Sequence, residues 1–215
     1  MIITKKKNPE DVLKSLEGFQ NIYLFGCNSC AQQCKTGGRE ELDEMEALLK
    51  EKGFSVCGSA LVDETCYRQL ILKTLRQDGA AKDADAFLVL SCGAGVKTVS
   101  DCVAEEVPVL PALDTIFLAS VERVGRFFEG CSLCGECVLD RTAGICPHTE
   151  CPKGLLNGPC GGMHDGMCEV NPESECAWAR IYERLKKQGR TGVMREYMPP
   201  KDNSVRIQPR RLLLR

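Results

Sequence analysis

Asp85-Ala-Phe-Leu-Val-Leu-Ser91 is an unbroken apolar run between polar ends, the pattern of a strand covered on both faces in a parallel sheet. Its neighbours repeat the theme. Asn21-Ile-Tyr-Leu-Phe-Gly26 reads as a first strand, Phe54-Ser-Val-Cys57 opens a second that can run to Val62, and Val107-Pro-Val-Leu110 reads as a last, with its proline near an end or edge. Helical patterns lie between them. Glu40 to Lys52 sets Leu42, Met45, Leu48 and Leu49 on one stripe and closes at Gly53. Thr65 to Gln77 carries Leu70, Leu72 and Leu75, with Asp63 as its expected cap. Val96 to Glu105 is the third helix. Four strands joined by three helices predict a small Rossmann- or flavodoxin-like α/β unit.

Beyond Pro111 the pattern changes. Ala112 to Phe128 reads as a connector with helical character, and residues 131–176 are rich in Cys, Gly and Pro with almost no apolar period. Such a stretch has too little apolar surface to offset its chain entropy, so it is expected to be stapled by metal. Residues 176–188 read as a helix with Ala177, Ile181 and Leu185 in register. The expected organisation is an α/β domain over 1–111, a connector over 112–130, a cysteine-rich metal-cluster domain over 131–190 and a basic arm over 191–215.

A length of 215 residues with 43% hydrophobic content suits one or two domains and argues against disorder. The net charge of -2 hides an asymmetry: from Arg184 onward ten Lys/Arg face only Glu196 and Asp202. Without an RNA-binding aromatic motif beside it, the arm is expected to dock on a protein rather than on nucleic acid. No apolar run is long enough to span a membrane, and the opening residues lack the apolar core of a secretory signal, so a cytoplasmic location is expected.

Fifteen cysteines dominate the composition. In a reducing compartment, thiols at gaps of two or three residues are expected to ligate metal or iron-sulfur clusters rather than form disulfides. The first group is Cys27, Cys30 and Cys34, directly after the first strand. Cys92 follows the third strand, so all four belong to the carboxyl ends of strands, where open α/β sheets bind ligands. They are the expected ligands of one [4Fe-4S] cluster. Cys57 and Cys66 could each substitute as fourth ligand, but with Cys102 they are expected to be core or loop residues. Gly93 and Gly95 are read as relief of backbone crowding near Cys92 rather than as a phosphate loop.

The second group is Cys131, Cys134, Cys137, Cys146, Cys151, Cys160, Cys168 and Cys176. Its C-x2-C-x2-C run followed by Cys146-Pro147 is close to the bacterial ferredoxin pattern. Eight thiolates suffice for two sites, and sequence alone does not divide them. Iron-sulfur is favoured for the C-x2-C-x2-C site; zinc, which also accepts four thiolates, competes at each. His148 and His164 are expected to stay off the ligand list. No P-loop and no Ser-His-Asp or paired-carboxylate arrangement is evident, so the chain reads as a carrier of electrons rather than as an independent nucleotide-binding enzyme.

Cys131-Ser-Leu-Cys-Gly-Glu-Cys137, Gly144-Ile-Cys-Pro147 and Cys151-Pro-Lys-Gly-Leu-Leu-Asn-Gly-Pro-Cys-Gly-Gly162 resemble the methylenetetrahydrofolate reductase C-terminal-domain family. The likeness continues through Cys176-Ala-Trp-Ala-Arg-Ile-Tyr-Glu-Arg184 and Pro199-Pro-Lys-Asp202, and upstream includes Gly26-Cys-Asn-Ser-Cys30 and Cys92-Gly-Ala-Gly-Val96. It implies an iron-sulfur subunit passing electrons to the flavin of a MetF-type subunit, a TIM barrel that reduces 5,10-methylenetetrahydrofolate to 5-methyltetrahydrofolate in acetyl-CoA-pathway one-carbon metabolism. It also implies no folate catalytic site in this chain. The electron donor is left open between ferredoxin and further redox subunits. A zinc-stabilised assembly module without redox function is the competing reading.

Overall fold

The computed structural model of the chain describes residues 1–214, which fall into two compact units divided between Phe128 and Glu129. The first opens with strand β1 (Ile2–Lys6) and helix α1 (Pro9–Ser15), then alternates β2 (Asn21–Cys27), the single turn α2 (Cys30–Gln33), α3 (Arg39–Glu51), β3 (Ser55–Val62), α4 (Arg68–Gln77), β4 (Ala86–Leu90), α5 (Gly93–Ser100) and β5 (Val109–Pro111). Strands β2 to β5 form one sheet in the order β3-β2-β4-β5, every pair parallel, with Gly26 opposite Leu90. This is the expected α/β fold. The chain steps from β2 outward to β3 and returns to β4 on the other side, so the β2/β4 boundary is the switch point where such sheets open a crevice at their carboxyl edge.

All five residues of β4 are buried, as its unbroken apolar run requires. Side chains alternate along the inner strands. Ile22, Leu24, Leu88 and Leu90 pack with Leu16, Leu42 and Leu49, whereas Tyr23, Phe25, Phe87 and Val89 join Ile71 and Val99. Replacing Leu88, wholly buried, by alanine is expected to cost ~2–5 kcal/mol through lost transfer energy and the cavity left behind. The denaturation midpoint of the full chain measures it.

Several sequence expectations are corrected. The segment read as a helical connector is a β-hairpin, β6 (Leu113–Arg123) and β7 (Arg126–Cys131), turned by Val124 and Gly125, the latter at φ +80°. Alternation of Leu113, Thr115, Phe117 and Ala119, rich in branched and aromatic side chains, suits a strand, and antiparallel pairing with β1 supplies the ladder. The expected helix over Val96 to Glu105 is α5, starting and ending earlier. Gly93 and Gly95 therefore form its first turn, with Cys92 as N-cap. Asp63 does not cap α4: the cap position is Tyr67, and Asp63 instead accepts a bond from Asn28 Nδ2 at 3.4 Å. Gly53 follows the end of α3 at φ +88°, as its place after the apolar stripe indicated.

The second unit contains the single turn α6 (Pro147–Glu150) and one longer helix, α7 (Ala177–Lys187). Its core is small. Ala143, Ile145, Trp178, Ile181, Leu185 and Met198 form its buried apolar cluster, and four of the six lie outside residues 131–176. Trp178 Nε1 donates to the Leu155 carbonyl at 3.0 Å, and Asn157 exchanges two hydrogen bonds with the Met198 backbone. These contacts tie the irregular cysteine segment to α7 and to the chain beyond it.

Candidate metal centres

In the first unit, Cys27 ends β2 and Cys92 follows β4, so the two flank the switch point as expected. Cys30 and Cys34 bracket α2 and both face the backbone of Ile2: its amide donates to Cys30 Sγ at 3.4 Å, and Cys34 Sγ lies 3.8 Å from its carbonyl. Cys66, in the loop between β3 and α4, lies near Cys92 and Cys27. Its thiol is pushed up first by desolvation and next by those two sulfurs. Spacing had set Cys66 aside, because it lies far in sequence from the other cysteines, although a parallel sheet puts the loop after β3 at the same carboxyl edge as those after β2 and β4.

The edge around these sulfurs is crowded. A methyl group on Gly95 would fall 2.4 Å from Thr65 Oγ1 and 2.3 Å from Ser91 Oγ. Crowding accounts for Gly95 but not for Gly93, whose nearest neighbour would be Thr115 Oγ1 at 3.6 Å. Cys57 and Cys102 pack against the core on the other face of the sheet, and burial raises both thiols.

In the second unit the eight cysteines separate into two fours. Cys131, Cys134, Cys137 and Cys146 line one cavity of about 430 Å³, together with His148, Lys201 and Arg210. Cys151, Cys160, Cys168 and Cys176 line another of about 20 Å³, with Lys153, Met163 and Glu169. The division follows the chain: two x2 gaps and the turn before Pro147 gather the first four. Paired backbone bonds between His164 and Met167, and those from Cys168 to Ser174 and Cys176 to Gly166, fold the other four together. Among the described residues, no three His, Cys, Asp or Glu side chains converge tightly enough to enclose a metal ion.

The residues of the larger cavity fit an anionic four-thiolate group. Leu133 at φ +54° and Gly135 at φ +83° turn the C-x2-C-x2-C loop, and the Leu133 amide donates to Cys131 Sγ at 3.3 Å. Lys201 Nζ donates to Cys134 Sγ at 2.8 Å and to the Glu136 carbonyl. Burial alone would raise the Cys134 thiol, but the Lys201 ammonium, aided by the Glu136 backbone and Ser132, holds it below the usual range. His148 Nε2 is buried without a partner. Burial, then Lys201 and Arg206, hold its imidazole below its ordinary value, which favours the neutral form. At the smaller cavity, Gly162 N donates to Cys160 Sγ at 3.5 Å, and Glu169 accepts from Cys160 Sγ at 3.2 Å and from Lys153. His164 is exposed beside Asp165 and lines neither cavity.

Residues 110–204 match the family model described as methylene-tetrahydrofolate reductase C terminal. That segment, less than half of the chain, is similar to this family. The matched segment contains both four-cysteine groups, β6, β7, α7 and the Pro199-Pro-Lys-Asp202 stretch. No curated protein matches the chain. A solved structure of a cysteine-substituted arylmalonate decarboxylase in its sulfate-associated form is similar over 48% of this chain and 46% of its own length, less than half, at 19% identity and a TM-score of 0.34. The parallel sheet stands on its own strand register rather than on that likeness.

Proposed function

We propose that this chain is the iron-sulfur electron-transfer subunit of a methylenetetrahydrofolate reductase complex. The observation that carries the reading is the sorting of eight cysteines into two fours, each around its own cavity, inside a segment similar to the reductase family. Cys131, Cys134, Cys137 and Cys146 would hold a [4Fe-4S] cluster. Cys151, Cys160, Cys168 and Cys176, which line the smaller cavity, would hold a single tetrahedral zinc once drawn together by it. Cys27, Cys30, Cys34 and Cys92 would hold a further [4Fe-4S] cluster at the switch point, with Cys66 near enough to replace one of them.

A bound cluster supplies one-electron transfer, and the partner is a MetF-type flavoprotein whose flavin passes the electrons as hydride to 5,10-methylenetetrahydrofolate. A ferredoxin or another redox subunit is the class of donor that matches. No helix among the described residues is long and apolar enough to cross a membrane. The test is iron, sulfide and zinc analysis of anaerobically purified protein, with its visible spectrum and its co-purification with the flavoprotein. Brown protein that reduces the partner flavin supports the reading. The smaller cavity also favours a second reading, a zinc-stabilised assembly module, and colourless protein containing zinc alone would establish it.

Leu212, Leu213 and Leu214 are exposed beside Arg210 and Arg211, an apolar patch among cations that suits docking on an acidic partner surface. Removing residues 211–215 spares Arg210 at the cavity. It is expected to weaken binding to the flavoprotein at least tenfold, ~1.4 kcal/mol, at low salt. Undiminished binding would place docking elsewhere on the chain.

A further inference from the structure

Residues 201–210 lie back over the C-x2-C-x2-C loop. Lys201 is bonded to Cys134 Sγ, and Arg210 Nη1 donates to the Leu133 carbonyl at 3.2 Å. The seat is shaped for this. Asp202 accepts the Ser204 amide at 2.8 Å and opens a short 3-10 turn, Asn203–Arg206, which presses Val205 on Gly135. A methyl group at Gly135 would sit 2.6 Å from Val205 Cγ2, and the residue's φ of +83° already disfavours any side chain. Two cations, Lys201 and Arg210, are thereby held at one four-thiolate cavity, in a chain that carries a net charge of -2.

We infer that Lys201 sets the reduction potential of the site formed by Cys131, Cys134, Cys137 and Cys146, with Arg210 as a second cation beside it. The inference rests on the cluster reading above. One electron enters from an external one-electron donor, no bond forms or breaks, and the negative charge at the sulfurs rises by one. A cation in contact with a ligand sulfur favours that added charge, more so where water is partly excluded. Lys201 thus makes the site easier to reduce. The side chain orients no substrate and is not itself an electron carrier.

The test is a mediator-poised reduction titration, followed by EPR, on the iron-loaded full chain with dithionite as donor. Lys201→Met and Lys201→Gln are expected to shift the reduction equilibrium at least tenfold toward the oxidised form, about 59 mV more negative for a one-electron couple. Lys201→Arg is expected to stay near the parent value, because it keeps the charge. If Lys201→Met fails to take up iron, Lys201→Gln, which keeps length and a donor, decides the matter. Full iron with an unchanged potential in Lys201→Gln would overturn the inference while leaving the cluster reading intact. Parent protein lacking iron at this site would instead remove the reading on which it rests.

Discussion

Serine at Cys137 is expected to remove about four iron atoms per chain and leave the zinc in place, while serine at Cys160 is expected to remove the zinc and leave the iron. The opposite responses follow from the two cavities, which share no cysteine. Were the eight thiols one interchangeable pool, either substitution would deplete both metals. Cys57→Ser and Cys102→Ser serve as controls and are expected to change neither, since their sulfurs face the Ile22 and Arg68 carbonyls rather than a four-thiolate cavity. Elemental analysis of the four variants beside the parent protein distinguishes the cases.

Stripping the metals is expected to unfold residues 131–176 while leaving residues 1–128 folded. The first unit has a sheet buried on both faces and two apolar clusters. The second has one apolar cluster of six buried side chains, of which the cysteine segment itself supplies Ala143 and Ile145. Fixing one residue's backbone costs ~1–2 kcal/mol, so that core cannot order the segment alone. A structural metal site contributes on the order of 10 kcal/mol. Limited proteolysis after chelation should therefore cut within residues 131–176 and spare the parallel sheet. Equal protection with and without metal would show that hydrogen bonds such as Trp178 to Leu155 suffice.

The parallel sheet was legible because burial on both faces writes continuous apolar runs, as in Ala86–Leu90, and because the helices between the strands keep one apolar stripe. The hairpin of β6 and β7 was not. Ala112 to Phe128 mixes helical and alternating periods, and the pairing of β6 with β1 that decides between them joins residues more than a hundred positions apart. The cap expected at Asp63 failed for a similar reason: Asp63 is drawn away to Asn28 by tertiary contact.

For the site, spacing was enough to nominate the cysteines, because short gaps oblige thiols to lie near one another. It could not divide the second group, since that depends on how the turns at 164–176 fold back. Nor did it reveal Lys201, whose place at Cys134 comes from a chain reversal 67 residues away. The Pro199-Pro-Lys-Asp202 stretch was the available signal, and it carried resemblance without a role.

A redox-active cluster at Cys131, Cys134, Cys137 and Cys146 is the centre of the proposed function. The EPR spectrum of the dithionite-reduced full chain, recorded for the parent and for Cys137→Ser, tests this most directly. The account predicts a reduced iron-sulfur signal in the parent, of which one component disappears in the variant. An identical signal in both, or an EPR-silent colourless parent containing only zinc, would contradict it.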